Sequence, residues 1–134
     1  MKALIVDDDI ILQNLLTHHL NNAGVMEIHR VRSGEEAIEI TQKEEFDIGF
    51  FDINLLTSLD GIDAARAIKE QKPNLQIVFI SANEDSVLME RCSTIENLGF
   101  LNKPYNPELI QQYIKMVKIR LRQKNKEKGT NNPS

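Results

Sequence analysis

Short apolar runs along the chain alternate with stretches in which apolar residues recur every three or four positions. The apolar runs have the length of buried strands and lie at 2–6, 25–31, 47–52, 75–81 and 99–103. The helical spacing covers 10–24, 33–46, 61–71, 84–97 and 107–123. Five strands alternating with five helices predict an α/β fold with a parallel sheet, covered on both faces and joined by right-handed crossovers.

Capping residues mark the starts of several predicted helices. Asp9 stands before the first helix as an N-cap. Ser33 and Glu36 have the spacing of a capping box. Asn106 followed by Pro107 is typical of the first positions of a helix. These residues support the boundaries that the periodicity gives.

The size of the chain favours one domain. Its 134 residues, 41% of them hydrophobic, suffice for one packed core. We place the domain at 1–123 and predict that 124–134 is a polar, disordered tail or the start of a linker. No apolar run approaches the ~20 residues that cross a bilayer, and the amino end lacks a secretory signal pattern. We therefore expect a cytoplasmic protein with no membrane partner.

Charge is unevenly distributed along the chain. Residues 115–128 contain seven basic residues and one acid, so this segment bears +6, while the remainder bears −10 for a net charge of −4. The basic row of Lys115, Lys118 and Arg122 is typical of a solvated helix face, or of an edge that binds an acidic partner or a second copy. Because the body is acidic and no helix-turn-helix segment follows, we expect no direct binding of nucleic acid.

Polar residues follow the apolar runs where the predicted strands end. Ligands of open parallel sheets bind beyond the carboxyl ends of the strands, so these residues are candidates for a site. They are, in strand order, Asp7 with Asp8, Asp52, Ser81 and Lys103. Three carboxylates, a hydroxyl and an ammonium are thus predicted to converge on one edge.

Three carboxylates at the rim of an apolar sheet repel one another, and burial would raise their pKa values. A divalent cation would relieve this repulsion. Because no cysteine or histidine stands at these strand ends, the oxygen ligands suit Mg²⁺, or Mn²⁺, better than zinc. Mg²⁺ commonly binds phosphate oxygens as well, so we expect phosphoryl chemistry. Lys103 would neutralise one phosphoryl oxygen and the Ser81 hydroxyl would bond another.

Other polar residues have simpler interpretations. Asp9 is predicted to be a cap or a solvated turn residue. His18 and His19 are adjacent on a helix, about 100° apart, and cannot grip a metal together as residues four apart can. Cys92 is the one cysteine of the chain and lies in a helical segment, which favours an inert, buried thiol over a nucleophile.

Five short sequence blocks follow one another at the ends of the predicted elements. They are VDD at 6–8, FFD at 50–52, DG at 60–61, ISA at 80–82 and GFLNKP at 99–104. In order and spacing they resemble the signature of receiver domains of two-component response regulators, and the chain is similar to single-domain chemotaxis regulators over 2–123. The resemblance implies a flavodoxin-like (βα)5 fold, a doubly wound sheet with strand order 2-1-3-4-5.

The resemblance also implies roles for the strand-end residues. Asp52 would be the phosphoacceptor, taking a phosphoryl group from a sensor histidine kinase or a histidine phosphotransfer protein. Asp8 and Asp52 would bind Mg²⁺ directly with the backbone carbonyl of Asn54, and Asp7 would bind it through a water molecule. Lys103 would pair with the phosphoryl group. Such a module promotes its own phosphorylation and dephosphorylation and is not an enzyme with a separate substrate.

Signalling would follow from a second set of residues. By resemblance, Ser81 would swing toward the phosphoryl group and Phe100 would rotate inward behind it. This movement would change the surface of the fourth helix, fifth strand and fifth helix, which would bind an output protein or a second copy in a homodimer. The Lys103–Pro104 peptide bond would be cis.

Some positions depart from the commonest family pattern. Leu56 stands where a proline is frequent, and the loop before Asp60 has one residue more than the chemotaxis-type spacing. Phe100 replaces a tyrosine found in many members, so it can signal only through packing. Asn54 and Asn83 occupy places that tune dephosphorylation in the family.

Two other function classes remain open at this point. A Mg²⁺-dependent phosphohydrolase or phosphotransferase with an aspartate nucleophile usually carries a second acid two residues later, where this chain has Asn54. An interaction domain that works without phosphorylation would keep its partner binding when Asp52 is replaced by alanine.

Overall fold

Each apolar run forms a strand of one parallel sheet. In a computed structural model the chain is described over residues 1–55, 59–82 and 85–130, with side chains as far as residue 126. The strands are β1 (Lys2–Val6), β2 (Glu27–Val31), β3 (Ile48–Asp52), β4 (Gln76–Ser81) and β5 (Gly99–Asn102). Their order is β2-β1-β3-β4-β5, and every neighbouring pair is parallel. The predicted fold and the strand order 2-1-3-4-5 are confirmed.

The helices connect successive strands and cover both faces of the sheet. They are α1 (Ile10–Asn22), α2 (Gly34–Lys43), α3 (Gly61–Gln71), α4 (Ser86–Ser93) and α5 (Pro107–Thr130). Asp9 caps α1 by accepting from the backbone N–H groups of Ile11 and Leu12, and Ser33 caps α2 by accepting from that of Glu36. The cap at the start of α5 is also in place, because the Asn106 side chain accepts from the Glu108 N–H at 3.0 Å.

Helix α4 is shorter than the predicted span of 84–97. Asp85 is the N-cap, and its carboxylate accepts from the backbone N–H groups of Val87 and Leu88. At the other end, the Asn97 side chain donates to the carbonyls of Cys92 and Ile95, 3.2 and 2.8 Å away. These side-chain bonds satisfy backbone groups that would otherwise extend the helix.

Helix α5 is longer than predicted. It continues to Thr130, so residues 124–130 are helical in the segment for which the sequence predicted a polar, disordered tail or the start of a linker. Lysine and glutamate, which supply four of the residues 124–130, are good helix formers, and no glycine or proline interrupts the segment before Gly129. The polar composition that indicated a tail is equally typical of a solvated helix. Residues 131–134 lie outside the described ranges.

The sheet separates two hydrophobic clusters because side chains alternate along its strands. Leu4 and Val6 of β1 point into the cluster beneath α2 and α3. Ala3 and Ile5 point into the cluster beneath α1 and α5. All five residues of β3 are buried, which explains why the central strands read as continuous apolar runs. The carboxyl ends of these buried strands position the candidate site.

Gly61 fixes the start of α3 against the end of β3. A Cβ atom at this position would lie 1.9 Å from the backbone oxygen of Asp52 and 2.7 Å from its carbonyl carbon. The neighbour is backbone and cannot rotate away. The start of α3 can therefore lie this close to the Asp52 backbone only because residue 61 has no side chain.

We expect Gly61→Ala to lower the free energy of unfolding by about 1–3 kcal/mol, the usual cost of overpacking. Urea denaturation provides the measurement. Glu70→Ala, an exposed position on the same helix, is the control and should stay within about 0.5 kcal/mol of the original chain. Equal stability of Gly61→Ala and the original chain would show that the backbone at the end of β3 moves aside without cost, and would contradict the requirement for glycine at position 61.

Candidate functional site

The carboxyl edge of the sheet brings together three of the predicted polar side chains. Asp7 directly follows β1, Asp52 ends β3 and Ser81 ends β4. Their exposed fractions are only 0%, 2% and 5%. These residues are buried because they continue the central strands, whose neighbours on both faces are apolar. The sheet therefore holds two carboxylates and a hydroxyl where little water reaches them.

Asp8 completes an acidic cluster with Asp7 and Asp52. Each of the three residues offers a carboxylate oxygen, and these oxygens all lie within 4.8 Å of one another. Asp8 is half-buried, whereas the other two are fully buried. The cluster is therefore open to solvent on the Asp8 side.

Hydrogen bonds orient the two buried carboxylates. Asp52 Oδ1 accepts from the backbone N–H of Asn54 at 2.9 Å, and Asp7 Oδ1 accepts from that of Asp9 at 2.9 Å. Lys103 Nζ donates to Asp52 Oδ2 at 3.1 Å. Within the described part of the chain, Asp7 Oδ2 is buried and has no hydrogen-bond partner.

The pKa of Asp7 shows that burying two carboxylates side by side is unfavourable. Burial raises the pKa of Asp7 to about 6, the Asp9 N–H opposes the shift, and the charge of Asp52 adds to it. A buried acceptor without a partner costs free energy. A hard divalent cation would satisfy that oxygen and relieve the repulsion, and a set of carboxylate oxygens is the donor set that Mg²⁺ prefers. The residues present thus fit such an ion.

Lys103, Pro104 and Ser81 meet at the end of β5. The backbone N–H of Lys103 donates to the Ser81 carbonyl at 3.1 Å, which extends the strand pairing beyond Asn102. The Lys103–Pro104 peptide bond is cis, as the family resemblance implied. These contacts hold the Lys103 side chain beside Asp52.

Phe100 lies on β5, which pairs with β4, the strand that ends at Ser81. Its ring is half-buried beside Phe79, with ring centroids 6.1 Å apart. Its backbone carbonyl accepts from the Tyr113 hydroxyl of α5 at 2.7 Å. Phe100 therefore connects the apolar core to α5 through both its ring and its backbone. Asn83, one of the two predicted tuning positions, and Leu56, which stands where a proline is frequent, lie outside the described residues.

Sequence reasoning missed Gln13, which supports the site from α1. Its side-chain nitrogen donates to the carbonyls of Asp7 and Val31, at 2.6 and 2.8 Å. This buried amide ties the ends of β1 and β2 to the helix. The available signal was position, because Gln13 lies on the same helical face as Leu16 and Leu20.

A second missed cluster links α3 to α4. Arg91 of α4 contacts Asp60 Oδ2 at 3.1 Å and Asp63 Oδ1 at 3.2 Å. Burial alone would raise the pKa of Asp60, but the Asp63 N–H and the Arg91 guanidinium hold it below its usual value. Arg66 adds a bond to the Thr94 hydroxyl at 2.8 Å. Residues far apart in sequence thus join the start of α3 to the end of α4.

Comparison with known families agrees with the observed fold. A family model described as "Response regulator receiver domain" matches residues 3–115. This chain belongs to that family. The receiver is of the type found in response regulators of two-component systems.

The curated relatives are longer proteins. Sensory transduction protein LytR of Staphylococcus epidermidis is 35% identical over 130 residues, which are 96% of this chain and 50% of that protein. Transcriptional regulatory protein LytR of Staphylococcus aureus is 30% identical over 135 residues, covering 100% of this chain and 52% of the relative. The receiver thus spans about half the length of the curated relatives it matches.

Solved structures confirm the architecture. Chemotaxis protein CheY4 of Vibrio cholerae superposes with a TM-score of 0.76 at 27% identity, covering 87% of this chain and 97% of that one. The signal receiver domain of a modulated diguanylate cyclase from Desulfovibrio desulfuricans gives a TM-score of 0.81 at 28% identity, with 92% and 97% covered. Among the helices of the described ranges, none has the length and apolar character of a membrane span.

We expect Asp8→Asn to weaken Mg²⁺ binding on the order of tenfold or more, because even residues behind the ligands commonly affect metal affinity this strongly. Isothermal titration gives the affinity. Asp9→Asn is the matched control: it removes a neighbouring charge but keeps the α1 cap, and Asp9 lies outside the oxygen cluster. Equal losses in both variants would indicate a general charge effect and would contradict a ligand role for Asp8.

The burial of Cys92 predicts that its thiol reacts slowly in the native chain. The residue is fully buried, and burial raises the pKa of its thiol to about 11. A raised thiol pKa lowers the fraction of thiolate, the reactive form, so at pH 8 this fraction is on the order of a hundredfold below that of an ordinary cysteine. We expect iodoacetamide, followed by mass spectrometry, to label the native chain at least that much more slowly than the urea-unfolded chain. Comparable rates would contradict an inert thiol.

Proposed function

We propose that this receiver accepts a phosphoryl group on Asp52 in the presence of Mg²⁺ and signals through the surface of α4, β5 and α5. The observation that carries the proposal is the position of Asp52. Its carboxylate is buried at a strand end, bonded to Lys103 Nζ at 3.1 Å, and clustered with Asp7 and Asp8 within 4.8 Å. Family membership supports the same assignment.

The phosphoryl donor would be a phosphohistidine on a sensor histidine kinase or a histidine phosphotransfer protein. A carboxylate oxygen of Asp52 attacks phosphorus, so an O–P bond forms while the N–P bond of the donor breaks. The departing imidazole nitrogen keeps the electron pair of that bond. The Asn54 N–H and Lys103 hold the Asp52 carboxylate in a fixed orientation, which reduces the entropy lost on reaching the transition state.

Asp7, Asp8 and Asp52, with the backbone carbonyl of Asn54, would hold Mg²⁺ or Mn²⁺. When bound, the cation would neutralise phosphoryl charge and align the donor. The half-buried position of Asp8 leaves this side of the cluster accessible to a donor. The ammonium of Lys103 is placed to pair with a phosphoryl oxygen. In the phosphorylated product, Lys103 would donate to the phosphoryl group in place of part of its interaction with the Asp52 carboxylate.

The proposed switch uses Ser81 and Phe100. The phosphoryl group adds roughly −1.5 to −2 charges and strong acceptor oxygens, so the Ser81 hydroxyl gains a bond that exists in only one conformation. Such a difference shifts a two-state equilibrium. Phe100 transmits the change by packing, because its ring lies beside Phe79 and its carbonyl is bonded to Tyr113 of α5.

The receiver would therefore act as a signalling module and not as an enzyme that turns over a separate substrate. The α4-β5-α5 surface would bind an output protein, or a second copy in a homodimer. No direct contact with nucleic acid or membrane is part of the proposal. The LytR relatives are about twice as long as this chain. One form of the output partner would therefore be a segment joined to the receiver in the same polypeptide.

We expect incubation with acetyl phosphate and Mg²⁺ to add the mass of one phosphoryl group to the intact chain. The adduct should be absent from Asp52→Asn and from a chelated sample, since both the nucleophile and the cation are required. Asp47→Asn is the matched control, because Asp47 directly precedes the same strand, at the end opposite Asp52, and accepts from the Lys2 N–H at 2.7 Å. This variant should be labelled like the original chain.

Retained labelling of Asp52→Asn would remove Asp52 from the acceptor role. Continuous release of inorganic phosphate from a phosphomonoester would instead support an enzyme. If no adduct forms under any condition, a beryllofluoride titration decides the remaining question. Binding of that phosphoryl mimic would mean poor reactivity with acetyl phosphate, whereas no binding would indicate an interaction domain that works without phosphorylation.

A further inference from the structure

Tyr105 lies two residues after Lys103, in the segment between β5 and α5. Its side chain is buried, with 8% exposed, and packs in the cluster beneath α1 and α5. Its hydroxyl is also buried and has no hydrogen-bond partner in the part of the chain that the structure describes. A buried hydroxyl without a partner is unfavourable, and a phenylalanine would fill the same space without that cost.

Tyr105 lies at the same edge of the sheet as the acidic cluster, because Lys103, two residues earlier, donates to Asp52 Oδ2 at 3.1 Å. Burial is the main cause that raises the pKa of Tyr105, and the carboxylates of Asp7, Asp52 and Asp9 raise it further. The second tyrosine of the chain differs in this respect. Tyr113 is also buried, but its hydroxyl donates to the Phe100 carbonyl at 2.7 Å, and no carboxylate contributes to its pKa shift.

Two unsatisfied polar atoms therefore belong to the same edge of the sheet. Tyr105 offers a hydroxyl that both donates and accepts, and Asp7 Oδ2 offers an acceptor. They do not bond each other directly. A water molecule between them would satisfy both, because ordered water in proteins typically bridges polar groups that lack other partners. Mg²⁺ retains several water molecules when it binds to carboxylates.

We propose that Tyr105 is a positioning residue of the acidic site, whose hydroxyl binds, together with Asp7 Oδ2, a water molecule of the hydrated divalent cation. The inference rests on the proposed function, since it requires that the cluster of Asp7, Asp8 and Asp52 binds Mg²⁺. In the alternative interpretation the Tyr105 ring only fills the core and its hydroxyl has no role.

The first test compares Tyr105→Phe with Tyr113→Phe by isothermal titration with Mg²⁺ and by thermal unfolding without it. We expect Tyr105→Phe to bind Mg²⁺ about two- to tenfold more weakly, the effect of one hydrogen bond, and to unfold at or above the original temperature. Tyr113→Phe loses its bond to the Phe100 carbonyl, so it should unfold at a lower temperature and keep its Mg²⁺ affinity. Original affinity in Tyr105→Phe would overturn the inference.

The second test uses the unaltered sequence. Tyrosine labelled with ¹³C at Cζ gives two resonances, because the chain has two tyrosines, and the variants assign them. We expect addition of Mg²⁺ to shift the Tyr105 resonance and to leave that of Tyr113 in place. A Tyr105 resonance that stays unchanged while Mg²⁺ binds would overturn the inference even if Tyr105→Phe failed to fold.

The outcomes separate this inference from the proposed function. If the original chain binds Mg²⁺ and Tyr105→Phe binds it equally well, only the role of Tyr105 is wrong. If the original chain does not bind Mg²⁺ at all, both the metal requirement of the proposed function and the role of Tyr105 are wrong.

Discussion

The burial of two carboxylates at one edge of an apolar sheet is the constraint on which the site depends. Asp7 and Asp52 continue central strands, so the interior packs around them and removes the water that would screen their charges. The surrounding structure compensates in part: backbone N–H groups hold one oxygen of each, and Lys103 pairs with Asp52. The remaining unsatisfied oxygen of Asp7 is an acceptor that a bound cation would satisfy.

Much of this architecture could be predicted from the sequence, because strands buried on both faces appear as apolar runs and parallel strands must end at a common edge. Periodicity could not show how polar side chains would bond. Asp85 and Asn97 shortened α4, and helix-forming charged residues extended α5 to Thr130, into the segment expected to be a tail. Gln13 and Tyr105 looked like ordinary residues of an amphipathic helix and a loop. Gln13 donates to the carbonyls of Asp7 and Val31, and the Tyr105 hydroxyl is buried without a partner, and only the packed structure defines these surroundings.

The α3 helix relates the site to α4 through packing and charge. Its first residue, Gly61, touches the backbone of Asp52, and the residue before it, Asp60, binds Arg91 of α4. The end of β3 and the end of α4 therefore both contact the same two-residue segment. Interiors are densely packed and transmit displacement instead of absorbing it. A change of charge at Asp52 thus has a short physical route to the surface proposed for signalling.

The same close contact has a consequence for variation among related chains. The loop after β3 is anchored at both of its ends, by Asp52 in the sheet and by Gly61 against it. Closing a loop with one more residue costs little entropy, so changes of length between these anchors leave the acidic cluster in place. The additional residue before Asp60 relative to chemotaxis-type spacing is such a change. Loop exchange between receivers should therefore be feasible provided that Gly61 is retained together with Asn54, whose N–H orients Asp52.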